Sequence, residues 1–107
     1  MLVPNELVNL RHQIDGVDQR ILELLALRYD IVSVVAQYKE RHAVPARIPA
    51  RIKTVIDDRE ARASSLGLPP GAARAIWSVI VEEACRYEET CLSKEISRIE
   101  EPAQPEA

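Results

Sequence analysis

LVNLRHQIDGVDQRILELLALRYDIVSVVAQY, residues 7–38, is the stretch whose reading decides the fold. Apolar side chains recur at alternating three- and four-residue steps: Leu7, Leu10, Ile14, Val17, Ile21, Leu24, then Ile31, Val35 and Tyr38. This is the stripe of an amphipathic helix. No proline interrupts it and Gly16 is its one weak point, so a first helix is expected from Asn5, as N-cap, to about Arg41. At 1.5 Å per residue such a helix is about 50 Å long, whereas a compact domain of this size has a radius of gyration of about 13 Å. Its own chain cannot wrap it, and a partner chain is expected.

Arg28 stands on the same stripe, four residues after Leu24 and three before Ile31. A guanidinium on a buried seam costs several kcal/mol unless anions meet it. Three arrangements satisfy it. The side chain snorkels to solvent, or it pairs with a structural acid such as Asp18, or it faces an anionic ligand to which its planar fork of donors is suited. Lys39 lies eleven residues on, which on a helix is about 20° around and about 16 Å along, so the two long side chains can bracket one small dianion. Arg11 is seventeen residues from Arg28, about 25 Å away along the axis, and reaches the same ligand only from a second copy.

The rest of the chain is organised as two further helices. His42 to Ile48 is a loop containing Pro45; Pro49 suits the first turn of a second helix that runs to about Leu66, with Gly67 just past its end. Arg51 lies in that first turn, where it opposes the helix dipole, a conflict that a bound anion would offset. Pro69, Pro70 and Gly71 precede a third helix, which carries Trp77, Val81, Ala84 and Glu88 on one stripe. Glu88 either pairs with one of the cations or is a neutral acid that donates a hydrogen bond. Burial favours the neutral form, and neighbouring cations favour the carboxylate. Residues 1–98 are read as the helical domain and 99–107, with Pro102 and Pro105, as a polar disordered tail.

Composition narrows the function classes. The chain has 107 residues, no phenylalanine and apolar content that is mostly Leu, Ile, Val and Ala, which suits one all-α domain. Its formal charge is −3 with acids and bases interspersed, so no basic stripe is offered to nucleic acid and no polybasic arm to a membrane. No apolar run approaches the roughly 20 residues of a membrane span, and Met1 to Glu6 lacks the profile of a secretion signal, so the protein is expected in the cytoplasm. Cys85 and Cys91, six apart on one helix, point to different faces, and no His or Cys cluster has metal-ligand spacing. Both cysteines are read as reduced packing residues, and neither a metal nor a cofactor is expected.

Leu10-Arg11-His12-Gln13-Ile14-Asp15, Leu24-Leu25-Ala26-Leu27-Arg28, Val35-Ala36-Gln37-Tyr38-Lys39, Pro45 through Arg51, and Gly67-Leu68 ahead of a helix with an acid at 88 resemble the all-helical class of chorismate mutases and their isochorismate pyruvate-lyase relatives. The resemblance covers roughly residues 5 to 95. It implies an intertwined homodimer of three helices per chain with two shared active sites and a small dianionic substrate. It further implies that Arg28 and the second copy's Arg11 hold the substrate carboxylates, that Arg51 lines the ring side, and that Lys39 and Glu88 reach the ether oxygen. Val35, Val55, Val81 and Ala84 would form the apolar wall.

Three positions depart from the family pattern. Most such mutases carry an acid where this chain has Ile52 and an aspartate where it has Ile48, so the usual partner of the ring's C4 hydroxyl is missing. Glu88 stands where glutamine is usual. The expected activity is the [3,3] rearrangement of chorismate or its 4-amino-4-deoxy analogue to a prephenate-type product. Elimination of pyruvate from isochorismate is the alternative reaction, and a helical dimerisation or regulatory module is the alternative of another class. The rearrangement is pericyclic within one bound molecule and needs no nucleophile, metal or cofactor.

Overall fold

The computed structural model describes residues 5–100, with side chains described from 5 to 91. It is all-α, as expected: α1 spans Asn5–Arg41, α2 Pro49–Ser65 and α3 Ala72–Glu100. Within the described residues α1 opens at Asn5 and α3 runs to Glu100. The remainder of the proposed tail, residues 101–107, and Met1–Pro4 lie outside the described residues.

The chain divides into two compact units, residues 1–32 and 33–107. The first is the leading part of α1. Its stripe is exposed on the single chain, with Leu10, Ile14, Val17, Ile21 and Ile31 all open and Leu24 64% accessible. Arg28 and Leu25 are half-buried.

In the second unit α2 packs on α3. The core there is Val55 with Val81 and Cys85, and Ile52 and Trp77 lie against it. Alanines fill the close approaches: Ala36, Ala46, Ala63, Ala73 and Ala84 are all buried. Small side chains let helical backbones come near one another, which is how a unit with so few large residues excludes water.

The end of α2 is set by Gly67, whose φ of +79° only glycine adopts at no steric cost. The Leu68 amide donates to the Ala63 carbonyl and the Gly67 amide to Ser64, the paired bonds of a Schellman turn. The start of α3 is capped from a distance: the Glu60 carboxylate on α2 accepts from the amides of Gly71 and Arg74, both at 2.9 Å. An anion at a helix N-terminus also meets the positive end of its dipole.

The end of α1 uses the same turn with the wrong residue. Val44 donates to the Lys39 carbonyl at 2.8 Å and Ala43 to Glu40 at 3.3 Å, which places Ala43 at the left-handed position with φ +53°. A Cβ there costs about 1–2 kcal/mol. Part of that is returned in the unfolded state, where glycine is the more flexible residue. Ala43→Gly should therefore raise the unfolding free energy by about 1 kcal/mol or slightly less, measured by urea titration. A loss of stability would mean that this turn is not the strained point.

Candidate active site

The last turn of α1 brings Lys39 against α3. Its ammonium lies 2.9 Å from Glu88 Oε1 and donates to the Ala46 carbonyl at 2.8 Å. Both side chains are nearly enclosed, Lys39 at 15% and Glu88 at 7% accessible. The Glu88 contact has the distance of a hydrogen bond but not its direction, so Oε1 is a buried oxygen that accepts no hydrogen bond among the described residues. Of the two readings of Glu88, the structure holds the ion pair. Removing one member of such a pair leaves a buried charge uncompensated, typically about 3–5 kcal/mol.

The wall beside this pair is aliphatic. Ala84 lies one turn before Glu88 on α3, and Val55, Val81 and Cys85 are buried next to it, with Ile52 packed on them. Burial pushes the Cys85 thiol up, so it stays an uncharged packing group; both cysteines are free. Val35, next to the buried Ala36, is exposed, 39% accessible.

The entry to α2 is electropositive. Ile48 is its N-cap in extended conformation and offers no side-chain acceptor to the first-turn amides. No acid occupies that turn, and Arg51 does. Uncapped amides and a guanidinium together suit an anion. Among the described residues Arg11, Arg28 and Arg51 form no ion pair, so Asp18 is not the partner of Arg28. Arg11 and Arg28 belong to the first unit, and Lys39, Arg51 and Glu88 to the second.

The sequence reading missed Arg47, which it placed only as a member of the loop. The guanidinium grips Glu82 with two bonds, Nη1 to Oε2 at 2.7 Å and Nη2 to Oε1 at 2.9 Å, and donates from Nε to Glu89 at 2.7 Å. The fork geometry favours two-bond recognition of carboxylates, which an isolated surface pair lacks. The signal available in the sequence was the pair of acids seven apart on α3, one face of a helix.

A family model described as chorismate mutase type II matches residues 10–89. The chain is 36% identical over 96 residues to a Streptomyces venezuelae protein named 4-amino-4-deoxychorismate mutase, covering 89% of this chain and 92% of that one. A Streptomyces pristinaespiralis protein of the same name is 32% identical over 80 residues, 75% of this chain and 62% of that one. An Enterobacter agglomerans protein named T-protein is 35% identical over 79 residues, which are 74% of this chain but 21% of that protein. No solved structure matches significantly.

The hydrogen bonds from Arg47 hold the Glu82 carboxyl far below its ordinary 4.5, at about 2. A carboxylate lowered on folding gives its full stabilisation above the unfolded value and loses it as pH falls through the folded one. The contribution of Glu82 is thus constant above about pH 5 and fades between about 4.5 and 2. Denaturation midpoints taken across this range should show Glu82→Gln to be less stable than wild type at pH 7 and to decline less steeply in acid. An unchanged acid slope would contradict the role given to Arg47.

Proposed function

The chain belongs to the type II chorismate mutase family and is an isomerase of chorismate-mutase type, and from that premise we propose that it rearranges 4-amino-4-deoxychorismate in preference to chorismate. The observation that carries the site is the buried Lys39 ammonium. It spends one proton on Ala46 and turns toward Glu88, which leaves a donor for the ether oxygen of a substrate on the aliphatic wall.

In the rearrangement the ether C–O bond breaks as a C–C bond forms between the enolpyruvyl methylene and the ring. Double bonds shift, and no atom, proton or electron enters or leaves. An enzyme assists by holding the flexible dianion in its reactive fold and by stabilising the charge that grows on the ether oxygen. Lys39 supplies that stabilisation. Glu88, ion-paired with Lys39, serves as its counter-charge and not as the donor that glutamine would be. As the resemblance implies, Arg28 with a second copy's Arg11 holds the two carboxylates, Arg51 lines the ring side, and Val35, Val55, Val81 and Ala84 form the apolar wall.

The substrate preference rests on three positions and on the names of the Streptomyces relatives. A C4 hydroxyl meets aliphatic carbon at Ile48 and Ile52, which cannot bond it. A C4 ammonium carries a full charge, which the Glu88 carboxylate attracts more strongly than it attracts a neutral hydroxyl. Leaving a substrate hydroxyl unpaired in a dry site is a strong means of rejection.

The working unit we propose is a homodimer. The open stripe from Leu10 to Ile31 is a continuous apolar surface on one helix, and monomeric proteins rarely leave such a surface uncovered. A second copy covering it would also bring its Arg11 to the anion held by Arg28. The two free thiols fit the cytoplasmic location expected from the sequence, and no helix among the described residues is long and apolar enough to cross a membrane.

Initial rates with chorismate, 4-amino-4-deoxychorismate and isochorismate side by side test the substrate. The amino compound should lead in kcat/KM by about tenfold, equivalent to about 1.4 kcal/mol, and isochorismate should release no pyruvate. Chorismate leading by that factor would refute the preference, and pyruvate release would point to the lyase.

Subunit mixing tests the shared site. Arg11→Ala and Arg28→Ala should each be nearly inactive. Unfolded and refolded together, they should regain about a quarter of wild-type activity, because half the dimers are mixed and each carries one intact site of two. Failure to recover would place the site within one chain.

A further inference from the structure

We propose that Arg47 is a positioning residue for Lys39, acting through the loop between α1 and α2. The inference rests on the reading above in which Lys39 stabilises the ether oxygen.

The geometry is a closed circuit within the second unit. Lys39 donates to the carbonyl of Ala46. Ala46 is buried and bonded covalently to Arg47, whose side chain is clamped by Glu82 and Glu89 on α3. Glu89 is the neighbour of Glu88, the counter-charge of Lys39. Two adjacent residues of the loop, 46 and 47, are thus tied to two adjacent residues of α3 and to the ammonium between them. The inner tie is partly buried, while the outer one, with Arg47 at 41% accessible, faces solvent.

The loop has reason to need such a latch. It leaves α1 through Ala43 in a left-handed conformation that a non-glycine residue adopts at a cost, and it contains Pro45, which donates no backbone hydrogen bond. No other side chain of residues 42–48 is tied to α3 among the described residues. Releasing Arg47 therefore frees the Ala46 carbonyl to move, and the ammonium loses the contact that aims it. The arginines that hold the substrate carboxylates are elsewhere, so substrate affinity is not the quantity that changes. A displacement of about 1 Å at a group that acts on the transition state costs on the order of 100-fold in rate.

The test is steady-state kinetics of full-length Arg47→Gln, Arg47→Lys and Glu89→Gln, with circular dichroism and thermal melting to establish that each is folded. Alongside, acetylation of Lys39 by acetic anhydride is followed by peptide mass spectrometry. Arg47→Gln should lose about 10- to 100-fold in kcat with KM within about threefold, and Lys39 should acetylate several-fold faster than in wild type. Arg47→Lys, which keeps the charge but not the fork, should recover part of the loss, and Glu89→Gln should fall between it and wild type. Should Arg47→Gln fail to fold, the other two variants carry the same comparison.

Wild-type kcat and unchanged Lys39 acetylation in the folded variants would overturn the proposal. So would a loss confined to KM, or a loss of melting temperature with kcat preserved. The underlying reading is checked separately with Lys39→Ala/Glu88→Gln, which leaves no buried orphan charge. If that variant keeps full activity, the assignment of Lys39 itself fails. If it is inactive while the Arg47 variants are normal, Lys39 stands and only the latch is wrong.

Discussion

A lysine charge in a nearly closed space is the constraint on which the second unit turns. Water is mostly excluded from Lys39, so the ammonium must find protein acceptors, and it finds a backbone carbonyl from the loop and a carboxylate from α3. Those two contacts fix the relation of three segments: the last turn of α1, residues 42–48, and the middle of α3. The arrangement has a chemical consequence, because a buried cation with a spare proton stabilises a developing oxyanion far better than one in water. The same enclosure sets the Glu88 carboxyl against the ammonium, a contact that an amide at that position would make without charge.

The packing around the pair is unusually thin. The core of α2 and α3 rests on Val55, Val81 and Cys85 with the buried Ala63, Ala73 and Ala84, while the apolar stripe of α1 remains open. Electrostatic ties take over some of the holding at the rim. Arg47 spans to Glu82 and Glu89, Arg74 to Asp57, and Glu60 caps α3 across the turn. Solvent-facing pairs hold geometry more than they add stability. Their value here is register, since each joins segments that the small core fixes loosely.

The elements were legible in the sequence because their causes are local. The three-four spacing from Leu7 to Tyr38, Pro49 at the opening of α2 and Gly67 after its end act within a few residues of the chain, and α1 and α2 fall within two residues of where these signals put them. Lys39 and Glu88 were marked by the same local logic, charged groups on apolar stripes. What escaped were relations across the loop. Ala43 gives no sign of a left-handed turn, since glycine is the usual mark, and Arg47 reads as an ordinary loop cation until α3 is alongside.

Sequence alone determined the all-helical class, the family-specific spacing of Arg11, Arg28, Lys39 and Arg51, and the loss of polar groups at Ile48 and Ile52. These are properties of residue type and interval, and helical periodicity converts interval into direction. The tertiary structure brought Glu88 to the Lys39 ammonium, and it alone found the loop's attachment to α3. Protonation and ion pairing depend on what lies within about 3–4 Å in space, and those neighbours are dozens of residues away along the chain.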